Sequence, residues 1–256
     1  MPVLTLTSLE EIPFIRRGDD LADIILDSLK GMQLELLDGD ILVLTQKIIS
    51  KAEGRLIDLA GVTPSEAALH HAGICGKDPR LVELILRESK SVLRVRPGLL
   101  IVEHRLGFVC ANAGIDHSNV QAEDLSPSEC VLLLPEHPDL SAEHLRAELK
   151  KRTQHTLGIM IIDSHGRAWR NGTEGVAIGL SGMPALVDLR GQPDLFGQEL
   201  QTTTVGVADE LAAAASLVMG QADEGTPVIH VRGFPYPLRE GHLSEILRPE
   251  EEDLFR

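Results

Sequence analysis

Leu157-Gly-Ile-Met-Ile-Ile162, followed by Asp163-Ser-His-Gly-Arg167-Ala-Trp-Arg170, is the stretch on which the fold turns. An apolar run of this length, closed by a carboxylate, reads as a buried strand from Leu157 to Ile162 that ends at Asp163. A side chain at a strand's carboxyl end projects from a rigid platform into the crevice where ligands sit. A second stretch has the same form: Phe108-Val-Cys110 feeds into Asn112-Ala-Gly-Ile-Asp116-His-Ser-Asn119. Two such carboxylates can hold a divalent cation, and nearby Arg and Lys side chains can hold phosphate oxygens. The pattern points to phosphoryl or acyl-phosphate chemistry.

Working outward, Gly39-Asp40 turns into a short buried strand, Ile41 to Thr45, that ends at Gln46-Lys47. Leu99 to Val102 and Phe108 to Cys110 form a hairpin around Arg105-Leu-Gly107, and Cys130 to Leu134 and Val228 to Val231 are further strands. Asp19 or Asp20 caps a helix carrying Leu21, Ile24, Ile25 and Leu29 at helical spacing. Other helices run from Ser65 to about Ile74, from Leu81 to Glu88 behind Asp78-Pro79, and from a Ser141 cap to about Arg152. Ala208 to Met219 is an Ala-rich helix stopped by Gly220. No regular βαβ rhythm appears, so the expected class is α+β, with irregular mixed sheets and helices. Neither GxxxxGK[ST] nor GxGxxG occurs, so any nucleotide is bound without either loop.

The 256 residues carry 24 basic and 39 acidic side chains, a formal net charge of -15, which disfavours nucleic acid and anionic membrane as partners. Any anionic ligand must therefore be drawn to a local cationic patch. Trp169, Tyr236 and five Phe are the only aromatics, so base stacking is a poor basis for binding. Three cysteines (Cys75, Cys110, Cys130) without a CxxC read as reduced thiols of a cytoplasmic protein. No signal peptide, membrane-length apolar run or internal repeat is expected.

From residues alone, Asp116 and Asp163 are the candidate metal ligands, with Ser164 as an additional oxygen donor. Arg167, Arg170, Lys47 and Lys51 are candidate phosphate clamps, and Asn119 and Gln46 candidate readers of a base or sugar. Each has a bland counterpart: an Asp after a strand also serves as a turn-former or cap, and Arg167 and Arg170 as surface ion pairs. His70-His71 with Cys75 lies inside a helix and matches no zinc spacing. His117 and His165, beside the two aspartates, are better placed to meet substrate. Pro249 to Asp253 reads as a helix start with carboxylates near its N-terminus.

At these residues the chain resembles the coenzyme F420-0:L-glutamate ligases, the γ-glutamyl ligases of deazaflavin cofactor biosynthesis. The landmarks span nearly the whole chain: Ile12-Pro-Phe-Ile15 with Gly18-Asp-Asp20, Thr45 to Arg55, Asp78-Pro-Arg80, Asn112 to Asn119 and Asp163 to Arg170. Ala208-Asp-Glu210, Val218-Met-Gly220 and Val231-Arg-Gly233 continue the series in the same order.

The resemblance implies a single catalytic unit over residues 1–256, and a GTP-dependent reaction with Mg²⁺ or Mn²⁺, helped by K⁺. The carboxylate of F420-0 would attack the γ-phosphate of GTP, and the amine of L-glutamate would displace phosphate from the acyl phosphate. It implies that Asp116, Asp163, Ser164 and Gln221 bind metal, and that Asp116, Asp163 and Lys51 form the catalytic set. GTP contacts would come from Ile12, Pro13, Phe14 and Ile15, then from Gln46, Lys47, Lys51 and Asn119. The loop of Leu217, Val218, Met219, Gly220, Gln221, Ala222, Asp223 and Glu224 would complete them. An intertwined homodimer with the site near the subunit interface is also implied.

Ser164 replaces the Thr often found at its position, and the Gln221 and His165 positions vary in residue type. With Arg256 soon after Phe255, no appended nitroreductase-like domain is expected. One alternative keeps the chemistry but takes a folate-type or other related acceptor, a choice that pocket residues would decide; another is a GTP-binding regulator without catalysis. The second would lack the metal carboxylates or clamping lysines, whereas Asp116, Asp163, Lys47 and Lys51 are all present.

Overall fold

Ile41 to Leu44 is apolar at every position, so this strand has to be covered on both faces, and it sits at the centre of the main sheet. The computed structural model describes residues 3–118, 120 and 129–253. In chain order the elements begin with β1 (Thr5–Ser8), α1 (Leu21–Gly31), β2 (Ile41–Thr45), α2 (Gln46–Ala52) and β3 (Leu56–Asp58). There follow α3 (Glu66–Cys75), α4 (Pro79–Arg87), β4 (Ser89–Arg96), β5 (Leu99–His104), β6 (Val109–Ala111) and β7 (Cys130–Leu132). The chain continues with α5 (Pro138–Thr153), β8 (Gly158–Gly166), β9 (Thr173–Ser181), β10 (Val187–Asp188), β11 (Thr204–Val205), α6 (Val207–Met219) and β12 (Val228–Arg232).

The main sheet has five strands in the order β1-β12-β2-β8-β9. Only β2 and β8 run parallel within it; the other neighbours are antiparallel. Side chains alternate across a strand. Leu42, Leu44, Ile159 and Ile161 accordingly pack with Ile25, Leu29, Leu145 and Leu149 of α1 and α5. Ile41, Val43, Met160 and Ile162 pack with Leu211, Ala212 and Ala215 of α6. A second core joins α3 and α4 to the sheet β4-β5-β6, around Ala72, Val82, Ile85, Leu100 and Val102. Phe108 packs against both this core and the one under α1 and α5, linking the two layers.

The α+β class with mixed sheets is what the sequence led one to expect, and β2, β12, α1, α3 and α6 fall where it placed them. Other bounds shift for physical reasons. The strand expected to stop at Ile162 continues to Gly166, because its outer half pairs with β9, His165 lying opposite Glu174. α5 begins at Pro138, whose fixed φ suits a first helical turn, so Ser141 lies inside the helix and bonds Glu53 and the His137 carbonyl instead of capping. The acidic tail forms only a short 3-10 turn, Glu250–Glu252.

β9 was not anticipated, because Gly175 and Gly179 read against a strand. Both glycines are needed where helices cross close: a Cβ at Gly175 would lie 2.5 Å from the Ala212 carbonyl oxygen, and one at Gly179 2.5 Å from the Pro138 carbonyl carbon. Among the described residues no helix is long and apolar enough to cross a membrane.

Candidate functional site

The parallel register sets Thr45 opposite Ile162, so Gln46 and Asp163 follow side by side where the two-sided pairing ends. Spacing in the chain could not have brought these positions together; sheet topology does. Thr45 is extended and caps α2 through its hydroxyl, turning the chain straight from strand to helix. Gln46 with Ser50, and Lys47 with Lys51, each stand one turn apart on that helix. Gln46 is fully buried; its Oε1 accepts from Ser50 Oγ at 2.9 Å, while its Nε2 has no hydrogen-bond partner among the described residues.

Lys47 reaches across to the second motif. Its Nζ lies 2.6 Å from Asp116 Oδ2 and donates to the Ser118 carbonyl at 3.1 Å and to Ser118 Oγ at 2.9 Å. Ser118 closes a turn on Asp116, donating from its backbone N at 2.9 Å and its hydroxyl at 2.8 Å to Oδ1. Burial lowers the Lys51 ammonium below its ordinary range, the neighbouring Lys47 adds to this, and Asp116 opposes it.

Asp116 is not at the end of a strand, as its apolar approach led one to expect. β6 stops at Ala111, and left-handed backbone at Asn112 (φ 50°) and Ala113 (φ 54°) turns the chain away. Asp116 is then stitched to Leu132 by a two-bond antiparallel bridge, both bonds 2.9 Å. That bridge, rather than a strand end, aims its carboxylate at α2.

Asp163 lies within β8, half-buried, with Oδ2 3.0 Å from His165 Nε2. It stands near Cys110: burial pushes that thiol up to about 12, and the Asp163 carboxylate adds to the effect. The His165 ring packs at 5.2 Å on Phe108, which stacks at 5.1 Å on the buried His104. Ser164 belongs to the other face of the strand, as alternation requires. Its hydroxyl donates to Gln221 Oε1 at 2.8 Å, and Gln221 Nε2 donates to Ser216 Oγ of α6 at 2.8 Å.

The loop after α6 is carried to the same edge. Gly220 (φ 76°) ends the helix, and Thr45 N donates to the Pro227 carbonyl at 3.0 Å, tying the loop's exit to the end of β2. Within it, Ala222 N donates to Glu224 Oε2 at 2.8 Å. The 12–15 segment arrives beside the far end of α2, where Gly18 N donates to the Ala52 carbonyl at 2.8 Å; Ile15 is buried and Phe14 fully exposed.

Arg167 pairs with Glu174 at 3.2 Å across the β8–β9 hairpin, the bland alternative to a phosphate clamp, and Arg170 is exposed on its turn. His117 is exposed, and Asn119 lies outside the described residues. Ser118, which orients both Lys47 and Asp116, was missed; the Asp-x-Ser spacing of an Asx turn was the available signal.

The order and spacing of these parts match one family model over residues 10–233, that of F420-0:Gamma-glutamyl ligase. The chain belongs to this family. Among F420-0:gamma-glutamyl ligase relatives, the coenzyme F420:L-glutamate ligase of Methanothermobacter thermautotrophicus is 48% identical over 255 residues, covering 99% of both chains. That of Methanopyrus kandleri is 47% identical, covering 97% of each chain. That of Methanocaldococcus jannaschii is 44% identical, covering 96% of this chain and 94% of its own.

Proposed function

We propose that this chain is a ligase that joins L-glutamate to coenzyme F420-0 with GTP as phosphoryl donor. The observation that carries this reading is its end-to-end similarity to proteins named coenzyme F420:L-glutamate ligase. The site's geometry suits the chemistry. A carboxylate does not acylate an amine until one oxygen becomes a leaving group. Attack of an acceptor carboxylate oxygen on the γ-phosphorus forms an acyl phosphate and releases GDP. The glutamate amine then adds to the acyl carbon and loses a proton, and phosphate departs to leave an amide.

Lys47 and Lys51 offer two cations on one helix face for phosphate oxygens, and Gln46 a buried amide donor without a partner among the described residues. Asp116, Asp163, Ser164 and Gln221 are the residues that would hold Mg²⁺ or Mn²⁺, and as oxygen donors they suit hard cations. Ser164 Oγ donates to Gln221 Oε1 at 2.8 Å on the face of β8 opposite to Asp163, so the four donors form two groups of oxygens, one on each face. Among the described residues no three His, Cys, Asp or Glu side chains are grouped to hold a metal ion. A cation held by these residues would need the rest of its shell from nucleotide phosphates and water. When bound, the divalent cation neutralises phosphate charge so that another anion can approach. The reading includes K⁺ as an auxiliary ion.

It also includes a homodimer, which would cover apolar side chains now fully open to solvent, among them Leu195, Phe196 and Leu217. The decisive test is mass spectrometry of the protein with F420-0, L-glutamate, GTP and Mn²⁺, beside a parallel folate acceptor. A GTP-dependent glutamyl increment on F420-0 is expected. The product ends in a new glutamate, so F420-1 is a chemically competent second acceptor and the ladder length reads the number of additions. An increment on folate alone would transfer the reading to that acceptor, and none on either would remove it.

A further inference from the structure

We infer that Lys47 is a built-in stand-in for the divalent cation at Asp116, and that it makes cation binding there conditional on nucleotide. The inference rests on the proposed role of Asp116 as a metal ligand. An ammonium has three hydrogens, and Lys47 Nζ has three oxygens within reach: Asp116 Oδ2 at 2.6 Å, Ser118 Oγ at 2.9 Å and the Ser118 carbonyl at 3.1 Å. The other carboxylate oxygen is also engaged, accepting the Ser118 backbone N–H at 2.9 Å and hydroxyl at 2.8 Å. A divalent cation approaching Asp116 therefore meets a carboxylate with both oxygens occupied, one of them by a full positive charge.

Displacing Lys47 without nucleotide is unfavourable twice over. The ammonium loses three acceptors, and it is left on the same helix face as Lys51, one turn away and already half-buried. A nucleotide phosphate removes both obstacles, because its oxygens can receive Lys47 and screen it from Lys51. Lys47 then moves from carboxylate to phosphate as the divalent cation takes the carboxylate. The site thus exchanges one cation for another only when an anion arrives, and free divalent ions do not load it in advance.

The test is Mn²⁺ binding, read from the electron paramagnetic resonance signal of the free ion, with and without a non-hydrolysable GTP analogue. Binding at Asp116 is defined by the difference from Asp116→Asn. In the wild-type protein the analogue is expected to tighten that binding by about tenfold or more, the range of an ordinary coupling free energy. Lys47→Met, with Lys47→Gln as a second neutral variant should it not fold, is expected to bind Mn²⁺ without nucleotide about tenfold more tightly than wild type. Lys47→Arg keeps the charge and should keep the block. Unchanged nucleotide-free affinity in the neutral variants, with Asp116-dependent binding still present alongside the analogue, would overturn the stand-in role alone. If Asp116→Asn alters Mn²⁺ binding under no condition, the metal role of Asp116 fails and the inference with it.

Discussion

Asp163 and Asp116 are each held by a different partner, His165 and Lys47. Replacing either with Asn keeps the shape but removes the charge. Turnover at saturating metal should fall by about 10²-fold or more with the melting temperature little changed, as loss of a group that stabilises transition-state charge does. Lys51→Ala should raise KM for GTP more than KM for glutamate, which steady-state kinetics in each substrate would show. His104 sets a pH limit of a different kind. Burial, with Arg105 next, lowers its imidazole from 6.5 to about 3. The unfolded chain takes up that proton below its ordinary value while the folded chain refuses it, so stability present above the ordinary value drains away as pH falls toward the lowered one. Between pH 7 and pH 5 the loss should be about 2 kcal/mol from this residue. Denaturant titrations at the two pH values would measure it, and His104→Asn, which keeps an acceptor for Leu106 N–H, should flatten the difference. At this scale the sequence was informative: Gln46, Lys47, Lys51, Asp116 and Asp163 could all be named from residue type and local setting. Which of them touch, and that Ser118 orients two of them, depends on contacts across about 70 positions and was not legible.

At the scale of elements, the contact of α6 with β9 leaves no room for a side chain between them. An added Cβ at Gly175 would meet the Ala212 carbonyl oxygen at 2.5 Å and Ser216 Cβ at 2.6 Å, and Ser216 also holds Gln221. Gly175→Ala should force α6 outward at a cost of about 1–3 kcal/mol, the usual range for overpacking. It should also weaken GTP use by shifting the loop that follows the helix; thermal melting and KM for GTP would report the two effects separately. Asp209, in the first turn of α6, accepts from Ala177 N at 3.0 Å beside the register shift in β9, a second tie between the same elements. Strands such as β2 and β12 were legible because continuous apolar runs need cover on both sides. β4 was not, since its Ser, Lys and Arg side chains are largely exposed and its pairing is bulged. β9 hid behind glycines whose reason lies in helices distant in sequence.

For the whole molecule, stability resides in aliphatic cores that include none of the proposed metal ligands. Removing divalent ions with a chelator should therefore stop turnover and leave the fold intact, which circular dichroism beside the mass-spectrometric assay would establish. The strand order carries a consequence for how the chain is made. β12 (Val228–Arg232) lies between β1 and β2, so a segment synthesised more than 180 residues after β2 joins two that emerged before it. Until it leaves the ribosome, β1 has no neighbour in the sheet and β2 shows a bare edge of unpaired backbone to every other nascent chain nearby. The strand order therefore sets translation of β12 against self-association of the exposed edge of β2. Slower elongation between β2 and β12 would lengthen the time for which that edge stays open.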